Sequence, residues 1–514
     1  MKKIYFLSIL TAGLFAFSSC HNDNVIGQPE TNEDGDGIIT DVIVTADDFV
    51  PQTRTAISNE LTFTWAKNDK IGVFPGSDPE DPTPSSQVLF TANEGGAGSA
   101  TFNGSGWGLM PARKYYAYFP YSSAAADSLV KFTFKSAATQ SANNNTAHIG
   151  ANDLMYTSGT APSAGNTAQF QFHHLSSIMK FDVTVPEDVK TSKFVKAEIS
   201  CADSVFPVVV SFNPTADVMK DSAETFIDKL TLTLASSGFA PADGVLSLWF
   251  MIGNADLSGK TLNVAVFDEY DKYSGTIEGA DQKAGKAHRY ELTVTKAARN
   301  YKDYTVDLGL PSGKLWAISN LTVKGLPFNN TVLGDYYAWG DTEPYYESIK
   351  VNGENNITVK WKSGYESGYS DTSYKKNTSR GSYTSSGAQL SLADDAAHAV
   401  LGGNWRMPSK ADLDELAQYC TFASATVSGV AGVTVTSKSN GKSIFLPLNG
   451  YINGTTFKGY TDNSPGARFW LLDCADSGKA YQQYTAKSNP AKNYDSSKDK
   501  YRGTPIRPIY IPNN

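Results

Sequence analysis

Phe181-Asp182-Val183-Thr184-Val185 alternates apolar and polar residues with a period of two, the signature of a strand with one face on a core and one toward water. The same period recurs in Leu61-Thr62-Phe63-Thr64-Trp65, Val130-Lys131-Phe132-Thr133-Phe134, Leu230-Thr231-Leu232-Thr233-Leu234 and Tyr290-Glu291-Leu292-Thr293-Val294. Between these runs stand Gly, Pro, Asn and Asp, residues that turn a chain back on itself. Val245 to Ile252 and Leu262 to Phe267 are continuously apolar and read as strands buried on both faces. No segment between Ile38 and Ala297 keeps a helical period over ten residues. Short strands at this spacing predict β-sandwiches, and this stretch is long enough for two. A Gly- and Ser-rich passage, Thr157 to Gly165, is the expected join, giving units over residues 38–162 and 163–298.

Upstream, Lys2 and Lys3 precede an apolar run from Ile4 to Phe17 that is too short to span a bilayer comfortably and ends in Ser18-Ser19-Cys20. Residues 1–19 read as a signal peptide. A cysteine placed just after small residues resembles a bacterial lipobox, which implies lipidation at Cys20. Residues 20–37 are polar and acidic, with Asp23, Glu30, Glu33, Asp34 and Asp36 and little that could pack, and read as a flexible tether. The formal net charge of −8 argues against nucleic acid or an anionic membrane surface as a partner. With 514 residues and only four cysteines, stability has to come from packed cores and not from a disulfide framework. At most one bridge, Cys420 to Cys474, is expected.

Beyond Lys296, Tyr, Trp, Gly and Ser rise and helical patterns appear. Leu392, Ala396, Ala399 and Val400 fall on one face. Ser409, a cap, is followed by Asp412, Leu413, Leu416 and Cys420 at spacings of three and four. Residues 299–514 therefore read as an α+β domain, with Lys350 to Ser386 as a long polar loop.

Two resemblances attach to these residues. Thr53-Arg54-Thr55, Phe63-Thr64-Trp65, Asp69 to Phe74, Tyr115 to Pro120, Asp153 to Tyr156 and Phe172-His173-His174-Leu175-Ser176 resemble, in this order, the fimbrillin family. That resemblance implies two transthyretin-like β-sandwiches and export as a lipoprotein to the outer membrane and cell surface. It also implies an arginine-specific cut, here between Arg54 and Thr55, which discards the first strand. A strand from another pilus subunit then fills the groove by donor-strand exchange. Tyr304 to Pro311, Leu315-Trp316-Ala317, Tyr336 to Pro344, Asn404 to Pro408, Ile444 to Pro447 and Ile506-Arg507-Pro508 are similar to a C-terminal surface module related to C-type-lectin-like and formylglycine-generating folds.

The six histidines show no metal-ligand spacing, the Gly-rich turns precede no helix, and no nucleophile motif is present. A formylglycine-type oxidase would need Cys420 and Cys474 as a reactive pair, and Cys420 faces a core, so no enzyme is expected and no cofactor. Asp335, Asp341 and Glu343 could hold Ca²⁺ as hard oxygen ligands, but Glu343-Pro344 is followed by Tyr345, not by the Asn of sugar-binding lectins. Trp361, Tyr365, Tyr369 and Tyr374, in the polar loop, are the ligand candidates, suited to stacking on a glycan or anchoring a protein. Asp127-Ser128, Asp203-Ser204 and Asp221-Ser222 resemble short O-glycosylation signals. The expectation is a fimbrial subunit, a tip adhesin because its chain continues past the second sandwich into a further domain. A surface lipoprotein that captures glycan outside a pilus is the competing reading.

Overall fold

The structure, a computed structural model, describes residues 38–512 except 52–60, 77–85, 105–107, 126–128, 164, 166, 214–220, 236, 353–355, 372–373, 375–382, 461–464 and 491–492. The segments read as signal peptide and tether, with Cys20, and the pair Arg54 and Thr55 lie outside the described residues. The fold is mainly β, with α-helix confined, among the described residues, to the C-terminal part.

Seven strands close into a barrel in the order Asp41–Ala46, Thr167–His174, Met155–Thr160, Lys114–Phe119, Lys70–Pro75, Val88–Ala92, Ser99–Asn103, and back to the first. The first strand is parallel to Thr167–His174, with Val44 opposite Phe170, and antiparallel to Ser99–Asn103, with Val44 opposite Ala100. Its alternation puts Val42 and Val44 into the core, where they meet Trp65, Ile71, Phe102 and Phe172. Trp65 anchors that core edge-on to Phe63, Phe102, Phe119 and Phe172.

Between Phe119 and Met155 the chain leaves the barrel. Val130–Thr133 pairs with Phe206–Phe212, and Ala137–Gln140 runs parallel to Lys229–Leu234. The first unit thus lends two strands to the second, and the two are interleaved in sequence. Thr157 to Gly165 is not a join: it holds most of the barrel strand Met155–Thr160 and leads into the next one. The passage to the second unit comes at Leu175, between Thr167–His174 and Ser176–Thr184.

The second unit pairs a four-stranded sheet, Val245–Gly253, Ser176–Thr184, Lys286–Thr293, Val50–Pro51, with a six-stranded sheet running from Thr295–Lys296 to Ala137–Gln140. Phe181, Val183, Leu248 and Phe250 of the first and Leu230, Leu232, Val264 and Val266 of the second share one core, in which Phe181 stacks on Tyr290 at 4.6 Å. The outer edge of Val245–Gly253 meets side chains where a strand would otherwise sit. Gln140 exchanges bonds with Trp249 N (3.0 Å) and Ser247 O (2.8 Å), Asn143 with Ser247 N (2.8 Å) and Val245 O (3.0 Å), and the His148 ring bonds Trp249 O (2.9 Å). These bonds satisfy backbone groups that would otherwise invite another strand.

The C-terminal part mixes short sheets with two helices, α1 (Ala396–Leu401) and α2 (Lys410–Tyr419). Ser409 and Asp412 form the expected capping box of α2. The upstream helix begins later than the apolar pattern suggests: Leu392–Asp394 is a 3₁₀ turn, and the buried Asp395 starts α1 by accepting from Ala397 N (2.9 Å) and His398 N (3.2 Å). Phe328 packs edge-on to Phe267 at 4.8 Å and its N–H donates to Glu269 O, while Tyr304 Oη donates to Tyr270 O. Asp271, bonded by Lys296 (2.6 Å) and Arg299 (2.9 Å), completes the seam with the second unit.

Candidate functional site

Residues 41–51 tie the two β units together. After the barrel strand, Asp47 N–H donates to Phe172 O (3.0 Å), and Val50 N–H to Gly285 O (3.0 Å), so the chain passes from the barrel to the edge of the four-stranded sheet. Val50 and Pro51 add only a two-residue parallel rung beside Lys286 and Ala287. Two adjacent histidines grip this passage. His173 Nδ1 bonds the Asp47 carboxylate at 2.7 Å, beside Gln171 Nε2 at 2.5 Å. His174 has no side-chain exposure; its Nε2 bonds the Asp47 carbonyl at 2.6 Å and its Nδ1 the buried Asp153 carboxylate at 2.9 Å, which also accepts from Ser176 Oγ.

A carbonyl and a carboxylate are both pure acceptors, so both ring nitrogens of His174 are called on to donate, which only the imidazolium can do. Burial opposes that charge, but Asp153, with Asp47, outweighs it and raises the pKa of His174 above its ordinary value. Burial likewise pushes Asp47 up, and its bonds to His173 and Gln171 outweigh this and hold it below the usual carboxylate range. Phe49 lies flat on the His174 ring at 3.8 Å and is buried with Leu61, Trp249, Met251 and Ala287. The sequence showed His173-His174 only as an adjacent pair; Asp47 and Phe49 lie more than a hundred residues upstream of it, and Asp153 about twenty, too far along the chain to be connected to it by spacing.

In the C-terminal part, Lys350 to Ser386 is not one long loop. Tyr346–Val351 and Ile357–Trp361 form a hairpin. Tyr365, Tyr369 and Tyr374 are not exposed platforms but buried members of an aromatic core. Tyr345 stacks between Tyr365 (4.4 Å) and Tyr369 (4.7 Å). Their hydroxyls are spent inside: Tyr369 donates to Tyr336 O and Tyr374 to Trp339 O. Trp361 is half-buried, edge-on to Tyr369. Trp316, Trp339, Trp405 and Trp470 are core, with the indole N–H of Trp339 on Leu471 O and that of Trp470 on Tyr337 O.

Asp335, Asp341 and Glu343 do not converge on a cation. Asp335 accepts from Val323 N (2.9 Å) and Tyr346 Oη (2.8 Å), Asp341 from Tyr345 Oη, and Glu343 pairs with Lys362 at 2.8 Å. Cys201, Cys420 and Cys474 are separate buried thiols and the bridge between the last two is not formed; burial pushes the Cys420 thiol up to about 11. A cleft of about 340 Å³ opens instead at the seam with the second unit, lined by Tyr270, Thr322, Val323, Lys324, Leu333, Asp335, Ile349 and Val351. Of the sugar-modification signals, Asp203 is engaged by Lys260 at 2.8 Å and Ser222 lies on the strand Asp221–Ile227.

The model of a family described as fimbrillin-like matches residues 53–308, about half of the chain. These residues are fimbrillin-like. The match starts past the strands Asp41–Ala46 and Val50–Pro51 and covers the later strands of both interleaved β units. Similar solved structures include a putative cell adhesion protein from Bacteroides ovatus (18% identity, 50% of this chain and 95% of that one, TM-score 0.35). Another, from Bacteroides uniformis, has 14% identity over 51% of this chain and 96% of its own, TM-score 0.34. A fimbrial protein from Bacteroides ovatus, at 13% identity, covers 92% of this chain and 99% of its own with a TM-score of 0.27. No curated protein matches the sequence. The fimbrillin-like match ends before the helices, the tyrosine core and most of the cleft lining, all of which belong to the C-terminal part.

Proposed function

We propose that this protein is a non-enzymatic, cell-surface fimbrial subunit, exported as a lipoprotein through Cys20, that accepts a strand from another subunit and presents its C-terminal domain, read as C-type-lectin-like, at the pilus tip. One observation carries the reading. The strand Asp41–Ala46 is an integral stave of a closed barrel, yet Arg54 follows the end of its passage, Pro51, by only a few residues of sequence. A cut there would free residues 38–54 from the body and leave a gap between Thr167–His174 and Ser99–Asn103, edged on both sides by backbone donors and acceptors.

The tip position is supported by the last described strand. Ile509–Tyr510 is bonded between Leu315–Ala317 and Trp405–Arg406 inside the C-terminal domain, so donating it to a neighbour would dismantle that sheet. The ligand, a glycan or a protein, is assigned to the cleft at Tyr270, Lys324 and Asp335, where an aromatic ring, a cation and an acceptor line one concavity. In the native host, Arg54→Ala is expected to leave the chain in the membrane fraction and absent from sheared appendages. Unaltered recovery in appendages would refute assembly through this cut.

A further inference from the structure

We infer that the groove now holding residues 41–51 selects its occupant by more than apolar alternation: it takes a strand that also places a carboxylate against His173 and Gln171 and, two residues later, an aromatic ring on the His174 imidazole. The inference rests on the strand-exchange reading and names the kind of strand that can be exchanged.

The groove has two parts of different chemistry. Its barrel half is a slot for Val42 and Val44, both fully buried, and asks only for apolar side chains at alternate positions. Many β-strands satisfy that demand, so this half sets register more than identity. The second half, beyond Ala46, is polar and aromatic. Asp47 is held through its carboxylate by His173 and Gln171 and through its carbonyl by His174, at 2.5 to 2.7 Å. Because Asp153 holds Nδ1 of His174, the ring is oriented before any strand arrives. Phe49 then covers the ring at 3.8 Å with an interplanar angle of 27° and is 6% exposed. A strand lacking the acid leaves the donors of His173 and Gln171 facing a weaker acceptor; one lacking the ring leaves a hole over a buried cation.

The resident sequence therefore spells the pattern the groove accepts: apolar at the places of Val42 and Val44, acidic at Asp47, aromatic at Phe49. Another pilus subunit, not a second copy of this chain, would supply a strand of this pattern. The two β units must also be held as they are here, since the acid is read by the barrel and the ring sits over the second sheet's cluster around Trp249 and Met251.

The test uses the full chain cut after Arg54 by an arginine-specific protease, with fluorescent peptides of residues 38–51 and uptake read by anisotropy. The parent peptide is expected to enter. Its Phe49→Ala variant should bind weaker on the order of a hundredfold, and its Asp47→Asn variant roughly three- to tenfold weaker, a smaller effect because that carboxylate is partly solvated. Equal uptake of all three overturns the inference and leaves strand exchange standing. No uptake of any peptide by the cut chain overturns strand exchange and the inference with it. In the uncut chain, Phe49→Ala should speed hydrogen exchange at the amides of residues 41–46 relative to those of 468–474. Unchanged protection there also overturns the inference.

Discussion

Asp153→Ala isolates the charge on which the grip of His174 depends. The substitution strips the counter-ion from an imidazolium whose side chain is wholly buried, and removing one partner of a buried pair costs about 3–5 kcal/mol. The cost should depend on pH in one direction. The folded pKa of His174 is raised above its ordinary 6.5, so its contribution is complete below that ordinary value and is lost as pH rises through the raised one. At about pH 5.5 the parent holds the full pair and the variant loses it. At a pH above the raised value the parent's ring is neutral, and the deficit should shrink to about 1–2 kcal/mol for the lost Ser176 bond and its neighbourhood. Urea denaturation followed by tryptophan fluorescence reads both, because Trp65 and Trp249 lie in the two cores that meet at this place. A deficit equal at the two pH values, or larger at the higher one, would refute a charged His174.

Three further substitutions probe the packing. Phe181→Ala removes the ring stacked on Tyr290 in the sandwich core and should cost about 3–5 kcal/mol, seen as a lower urea midpoint. Gly432→Ala would set a methyl 2.5 Å from the Leu446 carbonyl oxygen and 2.3 Å from the Phe445 ring; the ring can turn but the backbone cannot, so a loss of about 1–3 kcal/mol is expected in the unfolding of the C-terminal part. Tyr369→Phe leaves Tyr336 O without its donor and should cost about 1–2 kcal/mol while leaving glycan-array binding unchanged. Loss of binding without loss of stability would return Tyr369 to the ligand site.

The period-two runs around Phe181, Leu230 and Tyr290 were legible because polar and apolar residues alternate along each, and they lie in strands as expected. In the Phe181 strand, however, Asp182 on the polar face is buried and not toward water, accepting from Ser247 Oγ and Arg289 Nε. Partners were not legible. Val130 to Phe134 reads as a strand of the first unit, and Ala137–Gln140 falls within the residues assigned to that unit, yet both pair with the second, since alternation reports which face is buried and not whose edge lies alongside. Tyr365, Tyr369 and Tyr374 misled for a related reason. Their polar neighbours suggested a surface loop, but a tyrosine can be buried whenever a backbone carbonyl takes its hydroxyl, and that carbonyl comes from a segment some 33 to 35 residues away. The grip on residues 41–51 assembles from Asp47, Phe49, Asp153 and His174 and needs the closed barrel before any of them meet. The seam cleft is likewise a product of two units and has no signature in either.

The central claim is that this chain enters an appendage without its first strand. The most direct measurement is the N-terminal sequence of the chain recovered from sheared surface appendages. A start at Thr55 is predicted, with residues 20–54 missing. A chain that begins at a lipidated Cys20 in those appendages, its first strand still in the barrel, would contradict the account.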